Sequence, residues 1–262
     1  MVELLGLPPQ ASAHAAEIDN LIGVVHWLML VLFVGWGSFF LYTLIRYRRG
    51  ANPKADYAGV KSHTSTYLEV AVAVFEAVLL IGFSIPLWAK VVVAVPAEKD
   101  AEVVRVVAEQ FLWNIHYPGK DGVFGRTDLK LIDTESNPLG LDHSDPFAKD
   151  DITTINQLHL PVNKPALIYL SSKDVIHSFS LPIMRVKQDA IPGMVIPVGF
   201  TPIVTGESEI ACAQLCGLGH YRMRGFMTIH EPADYQKWIT DNSPAPETPA
   251  EPAPADSTAA AS

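Results

Sequence analysis

Cys212-Ala-Gln-Leu-Cys216-Gly-Leu-Gly-His220-Tyr-Arg-Met223 holds both cysteines of a 262-residue chain. An imidazole follows the second thiol by four positions, and a thioether follows the imidazole by three. Two thiols, an imidazole and a thioether from one loop form a soft donor set, which suits copper rather than magnesium or calcium. A second imidazole is available upstream in Asp174-Val-Ile-His177-Ser-Phe. A mononuclear blue-copper site needs two His, one Cys and a weak axial Met, and this chain offers one thiolate more. The simplest use of the extra sulfur is for Cys212 and Cys216 to bridge two copper ions, with His177 and His220 each serving one metal. Met223 and a backbone carbonyl of the loop then supply weak axial bonds. Sharing one electron over two bridged metals spreads the charge change, so the pattern reads as a binuclear electron-transfer centre.

Other readings compete for the same residues. A Cys212–Cys216 disulfide is allowed outside the cytosol, but leaves His220 and Met223 without a purpose. A two-Cys, two-His zinc site has acceptable donors and leaves Met223 idle. A membrane-tethered copper chaperone would use two thiols and a distant His for one exchangeable ion. It needs one anchor helix, whereas this chain has two apolar runs.

Around the loop the sequence reads as β. Residues 103–115, 155–160, 166–170, 178–186, 194–200 and 225–230 are short runs rich in β-branched or aromatic residues, bounded by Pro, Gly or Asn. Such spacing predicts a sandwich or barrel. Residues 232–240 read as one short helix. A Gly, Pro and Asp-rich stretch at 117–151 reads as a surface insertion, and its Asn137-Pro-Leu-Gly-Leu-Asp142-His-Ser-Asp145 lacks the spacing of a calcium loop. The acidic Pro/Ala-rich residues 243–262 have nothing to bury and read as disordered. They contain no Cys-x-x-Cys-His for a covalent haem.

Ahead of the β region lie two apolar runs. Residues 21–45 carry no charge, and residues 70–89 are interrupted only by Glu76. A spanning helix needs roughly 20 residues, so 21–92 reads as a transmembrane hairpin after a short external lead, 1–20. Arg46, Arg48, Arg49, Lys54 and Lys61 crowd the connection against one acid, Asp56, while the lead has no Lys or Arg. Positive charge stays in the cytoplasm, so both chain ends and the domain at 93–242 lie outside. The net charge of −9 argues against a nucleic-acid partner. Glu69 and Glu76 share one face of the second helix, roughly 10 Å apart along its axis, and an acid within the membrane is a functional hypothesis by default.

On Ser172-Lys-Asp174-Val-Ile-His177-Ser-Phe, Val186-Lys-Gln-Asp189-Ala-Ile-Pro-Gly193, and Cys212 through Met223 with Arg224-Gly-Phe-Met227 behind it, the chain resembles subunit II of the haem-copper cytochrome c oxidases. The resemblance covers roughly residues 20–240 and leans to the caa3-like branch. It implies a transmembrane hairpin followed by an all-β cupredoxin-like barrel carrying the dinuclear copper centre CuA. The implied ligands are His177, Cys212, Cys216, His220, Met223 and the backbone carbonyl of Gln214. The implied activity is acceptance of electrons from cytochrome c and delivery to haem a in subunit I, where oxygen is reduced at the haem a3–CuB site and protons are pumped. Implied partners are subunits I and III, in a bacterial plasma membrane with the copper domain on the outer side. Members of that branch often carry a fused cytochrome c. The expected donor here is a separate cytochrome or a haem domain of a neighbouring complex. A CuA domain of another respiratory reductase, such as nitrous oxide reductase, is disfavoured by the hairpin.

Two positions depart from the family pattern. Gln214 stands where a Glu usually helps bind magnesium or manganese at the boundary with subunit I, so that cation site is expected to be weaker or absent. Phe111 stands where the family has a Trp regarded as the point at which electrons enter, with Trp113 matching a later aromatic. The resemblance also places Glu69 at the mouth of a proton pathway into subunit I. It assigns no role to Glu76.

Overall fold

In the strand that opens the β region, Val104, Val106 and Ala108 point inward while the residues between them stay partly exposed. That two-residue period is what a half-buried strand imposes. The computed structural model describes residues 2–244, apart from 55, 56 and 60. Among these described residues are ten strands: β1 Glu102–Glu109, β2 Leu112–Tyr117, β3 Ile152–Ile155, β4 Gln157–Pro161, β5 Ala166–Ser172, β6 His177–Leu181, β7 Val186–Ala190, β8 Ile196–Phe200, β9 Gly206–Cys212 and β10 Arg224–His230. They form two five-stranded sheets, ordered β3-β2-β1-β5-β8 and β4-β10-β9-β6-β7. Most pairs are antiparallel; β1 with β5 and β10 with β4 are parallel. One core lies between the sheets, with Trp113, Ile115, Leu158, Leu160, Ile168, Phe179 and Met227 fully buried.

Several sequence runs resolve differently from their first reading. Residues 103–115 break into β1 and β2 at Gln110–Phe111, which brings Phe111 to the end of the sandwich. Residues 178–186 are not one strand: Pro182 opens a 3-10 turn, Pro182–Met184, and Arg185 follows in the left-handed region at φ 56°. β9, Gly-Glu-Ser-Glu-Ile-Ala-Cys, escaped the hydrophobic pattern because only Ile210 is buried in it. The 117–151 stretch is irregular, with 3-10 turns Leu129–Leu131 and Pro146–Lys149 capped by the Asp128 and Asp145 side chains. The C-terminal helix is Pro232–Asn242, and the expected disordered tail from 245 onward lies outside the described residues.

Two long apolar helices precede the sandwich, α1 Ala15–Arg46 and α2 Thr64–Val93. At about 1.5 Å per residue, 32 and 30 residues exceed the hydrocarbon thickness. They run antiparallel, so that Glu17, Leu21 and Val24 of α1 face Phe83, Pro86 and Lys90 of α2 at the outer end. Lys90 and Glu17 form an ion pair there at 2.5 Å. The expected spans 21–45 and 70–89 fall inside these helices. α2 contains two π-helical turns, Leu80–Ser84 and Ala89–Val93. Glu69 and Glu76 are both exposed on α2, with no hydrogen-bond partner for either carboxyl among the described residues.

Candidate metal centre

Antiparallel β9 and β10 pair through Ala211 and Arg224 and are joined by the loop 213–223. Cys212 ends β9, opposite Phe179 of β6, and His177 opens β6. Sheet pairing therefore delivers His177 to the base of the loop. The Ala213 amide donates to Ser178 O, and the Cys212 amide to Met223 O, fixing both ends. A 3-10 turn at His220–Arg222 then returns His220 and Met223 toward the cysteines.

The donor atoms converge. Cys212 Sγ and Cys216 Sγ are 3.8 Å apart, both as free thiols. A disulfide requires about 2.05 Å. His177 Nδ1 lies 3.9 Å from Cys212 Sγ, and His220 Nδ1 lies 3.6 Å from Cys216 Sγ, so each sulfur has its own imidazole neighbour. Met223 Sδ sits 3.2 Å from His177 Nδ1 and 3.7 Å from Cys216 Sγ. The Gln214 carbonyl accepts from Cys212 Sγ at 3.2 Å, while the Gln214 side chain is exposed. His177, Cys212 and Cys216 form a metal-competent cluster within 4.8 Å. The loop thus provides two imidazoles, two thiols, one thioether and one carbonyl around two sulfur atoms. That donor chemistry fits two soft metal ions bridged by sulfur, and all six positions named from the sequence are brought together.

Charge within the cluster favours the same fit. Burial alone would raise the Cys212 thiol, but hydrogen bonds from His177 and from the surrounding backbone outweigh it and bring the thiol to about 6. Burial and the neighbouring Cys212 push Cys216 up to about 11. One thiolate resists a second charge beside it, and bound cations would relieve that opposition. Burial also disfavours the His177 imidazolium, yet Cys212 and the Asp174 carboxylate prevail and raise it.

Support for the ligands comes from Asp174, inside the His177 motif, and from Gln110, outside every motif. Asp174 Oδ1 accepts from His177 Nε2 at 2.9 Å, and its Oδ2 accepts the Gln110 amide at 2.7 Å. Gln110 Nε2 donates to Cys216 O at 2.6 Å. Metal-ligating imidazoles commonly give their other N–H to a carboxylate, which makes nearby Asp174 findable, whereas Gln110 carries no signal in the sequence. Phe111, partly exposed, packs its ring against the loop at Gly217 and Gly219. Trp113 is 0% exposed and meets His177 and Phe179 edge to face, at centroid distances of 6.2 and 5.5 Å. On the loop itself, Leu215, Leu218 and Tyr221 are largely exposed, an apolar rim around the donor cluster.

A β-sandwich carried on two membrane helices, with a soft-donor loop at one end, defines a membrane-anchored cupredoxin-type protein with an external domain. The family model described as Cytochrome C oxidase subunit II, periplasmic domain, matches residues 102–229, within the sandwich. The alternative cytochrome c oxidase subunit 2 of Bradyrhizobium diazoefficiens is 35% identical over 223 residues, covering 85% of this chain and 79% of that one. Cytochrome c oxidase subunit 2 of Synechocystis is 28% identical over 258 residues, covering 92% and 76%. Among solved structures, the periplasmic domain of subunit II of cytochrome oxidase (CoxB) of Bradyrhizobium japonicum is 26% identical, covering 56% of this chain and 96% of that one, with a TM-score of 0.41. The chain belongs to the cytochrome c oxidase subunit II family and is a subunit of a haem-copper oxidase complex.

Proposed function

We propose that this chain accepts electrons from a cytochrome c at a dinuclear copper centre and hands them to haem a in subunit I of a proton-pumping oxidase in a bacterial plasma membrane. The observation that carries the reading is the pair of free sulfurs 3.8 Å apart, each with its own imidazole. His177, Cys212, Cys216, His220, Met223 and the Gln214 carbonyl would hold the metals. When bound, the copper pair supplies a one-electron store spread over two ions.

The remaining work belongs to the chain. Asp174 holds His177 by its outer nitrogen, so Nδ1 faces the sulfurs. Gln110 ties the β1–β2 turn to the loop, so the cluster is set by rigid sheet ends rather than by a free loop. Phe111 offers a partly exposed π face on the loop backbone and is the proposed point of electron arrival. Trp113, being fully buried, is proposed to pass charge or to support His177 from beneath. The apolar rim suits a docking patch. Residues 93–242 carry 19 acidic side chains against 13 basic ones, a net of −6, which would draw in a basic donor from a distance. Glu69 is proposed to admit protons toward subunit I. At Gln214 an amide replaces a carboxylate, so a magnesium or manganese ion at the subunit boundary would be held weakly or not at all.

The test is metal content with spectroscopy. The full-length chain in detergent, supplied with copper, should retain two copper ions and give a purple mixed-valence EPR signal. One exchangeable Cu(I), or zinc retained over copper, would overturn the reading in favour of a chaperone or a structural site.

A further inference from the structure

Eight residues after His177 along the chain, Arg185 makes a buried junction between the sandwich and the membrane hairpin. Its Nε donates to Asp19 Oδ1 at 2.7 Å and its Nη2 to Asp19 Oδ2 at 2.9 Å, a bidentate pair. Asp19 lies in the first turns of α1 and is 1% exposed. Gln10 Nε2 donates to the same carboxylate at 2.8 Å. The guanidinium also reaches Pro182 O at 2.7 Å and Pro8 O at 2.6 Å. Arg185 is left-handed at φ 56°, a conformation that non-glycine residues adopt only where the surroundings hold them.

Its location gives the junction its significance. β6 and β7 form a hairpin in which His177 pairs with Ala190 at one end and Leu181 pairs with Val186 at the other. The turn at that second end carries Arg185. A metal ligand and the grip on the membrane helix therefore sit at opposite ends of one two-stranded lever, separated by roughly 13 Å of extended chain. The lead clamps the same turn, the Ala11 amide donating to Ile183 O and Ser12 Oγ to Met184 O, and its Ala13 amide donates to Thr201 O just after β8. By contrast, the Lys90–Glu17 pair nearby is half exposed, and such pairs contribute little.

We infer that Arg185 and Asp19 are positioning residues for electron delivery, locking the metal-bearing end of the sandwich at one height and tilt over the membrane before any other subunit docks. Transfer between centres falls steeply with distance, so a domain free to rock on its tether would deliver electrons over a spread of separations. The functional part of this inference rests on the proposed copper relay, but the mechanical part does not.

The experiment separates the two. Non-thiol spin labels are placed at Asn52, in the inner loop, and at Glu135, on the sandwich insertion, in the full chain in lipid nanodiscs. The parent should show one narrow distance distribution. Arg185→Ala and Asp19→Asn should broaden it at least twofold, and Lys90→Ala should not. In the assembled oxidase the same two variants should slow electron transfer from the copper centre to haem about tenfold, with the copper EPR signal unchanged. Should Arg185→Ala lose its fold, Arg185→Lys, which keeps the charge but not the fork, gives the width instead. Equal widths in the parent and the variants would overturn the lock. The expected broadening in the variants together with no copper signal in the parent would instead sink the relay and leave the lock standing.

Discussion

Asp174 and His177 are joined through the imidazole nitrogen that points away from the sulfurs: Nε2 donates to Asp174 Oδ1 at 2.9 Å, leaving Nδ1 toward Cys212 and Met223. The same carboxylate accepts the Gln110 amide. One side chain thereby fixes both the ring's tautomer and the β1–β2 turn that covers the loop. Replacing it by Asn turns an amide N–H2 toward one of two N–H donors. Asp174→Asn should weaken copper retention about 10–100-fold, as loss of such outer partners does. Competitive titration with a copper chelator measures it, and unchanged retention would remove Asp174 from the support of the site.

Gly219 is occupied by its neighbour rather than by flexibility. A Cβ there would lie within 2.6 Å of three ring carbons of Phe111. Gly219→Ala should therefore displace either the ring or the loop, at an overpacking cost of about 1–3 kcal/mol. The expected result is a lower melting temperature together with an altered copper spectrum. Phe111→Leu in the Gly219→Ala background should recover part of the stability. It should also slow donor oxidation if electrons arrive through the ring; stopped-flow mixing with reduced cytochrome c measures that rate.

Acid sensitivity is predicted far from the metal. His159 Nδ1 is 2.8 Å from His230 Nε2, and the His159 ring stacks on Trp238. Burial, then the neighbouring His230, hold His159 down to about 4 from an ordinary 6.5. Burial also lowers His230, against a small opposing pull from Asp234. The unfolded chain takes up the His159 proton near pH 6.5, while the folded chain resists it until near pH 4. Stability is thus whole above about 6.5 and falls as pH drops through that window. Melting temperatures recorded from pH 7 to 4 should decline less steeply for His159→Gln than for the parent. Parallel slopes would exclude the pair as the cause.

Glu69 stands exposed near the inner end of α2 with no acceptor or donor of its own among the described residues. If it admits protons, Glu69→Ala in the assembled oxidase should cut turnover roughly a hundredfold, the low end of what a positioned acid–base group contributes. Copper content should not change. Turnover and proton uptake measured on the same preparation decide it, and normal values for both would end the idea.

The hairpin and the ligand loop were legible because each is local. Uncharged apolar length declares a membrane helix, and four soft donors within twelve residues declare a metal. The sequence also named His177 as the second imidazole, and the fold sets its Nδ1 3.9 Å from Cys212 Sγ. What stayed hidden depends on tertiary neighbours. β9 exposes most of its face, so no alternation betrays it. Gln110 acts through Cys216, 106 residues away. Asp19 reads as one acid in an acidic lead until Arg185 arrives from 166 residues downstream. The extra turns of α1 and α2 beyond the uncharged runs carry polar residues that only the sandwich and the opposing helix explain.

The lead that threads past Met184 and Pro202 also sets an order of events in synthesis. Ser12 is bonded to a residue 172 positions later, so a segment made before either helix is among the last to find its partners. At about 5–20 residues per second that interval is roughly ten to thirty seconds. Both helices must therefore cross the bilayer, with the lead waiting unpaired on the far side, before the sandwich closes. Closure over so long a separation is slow, and the thiols remain open to whatever redox and metal-delivery chemistry operates there until it is complete.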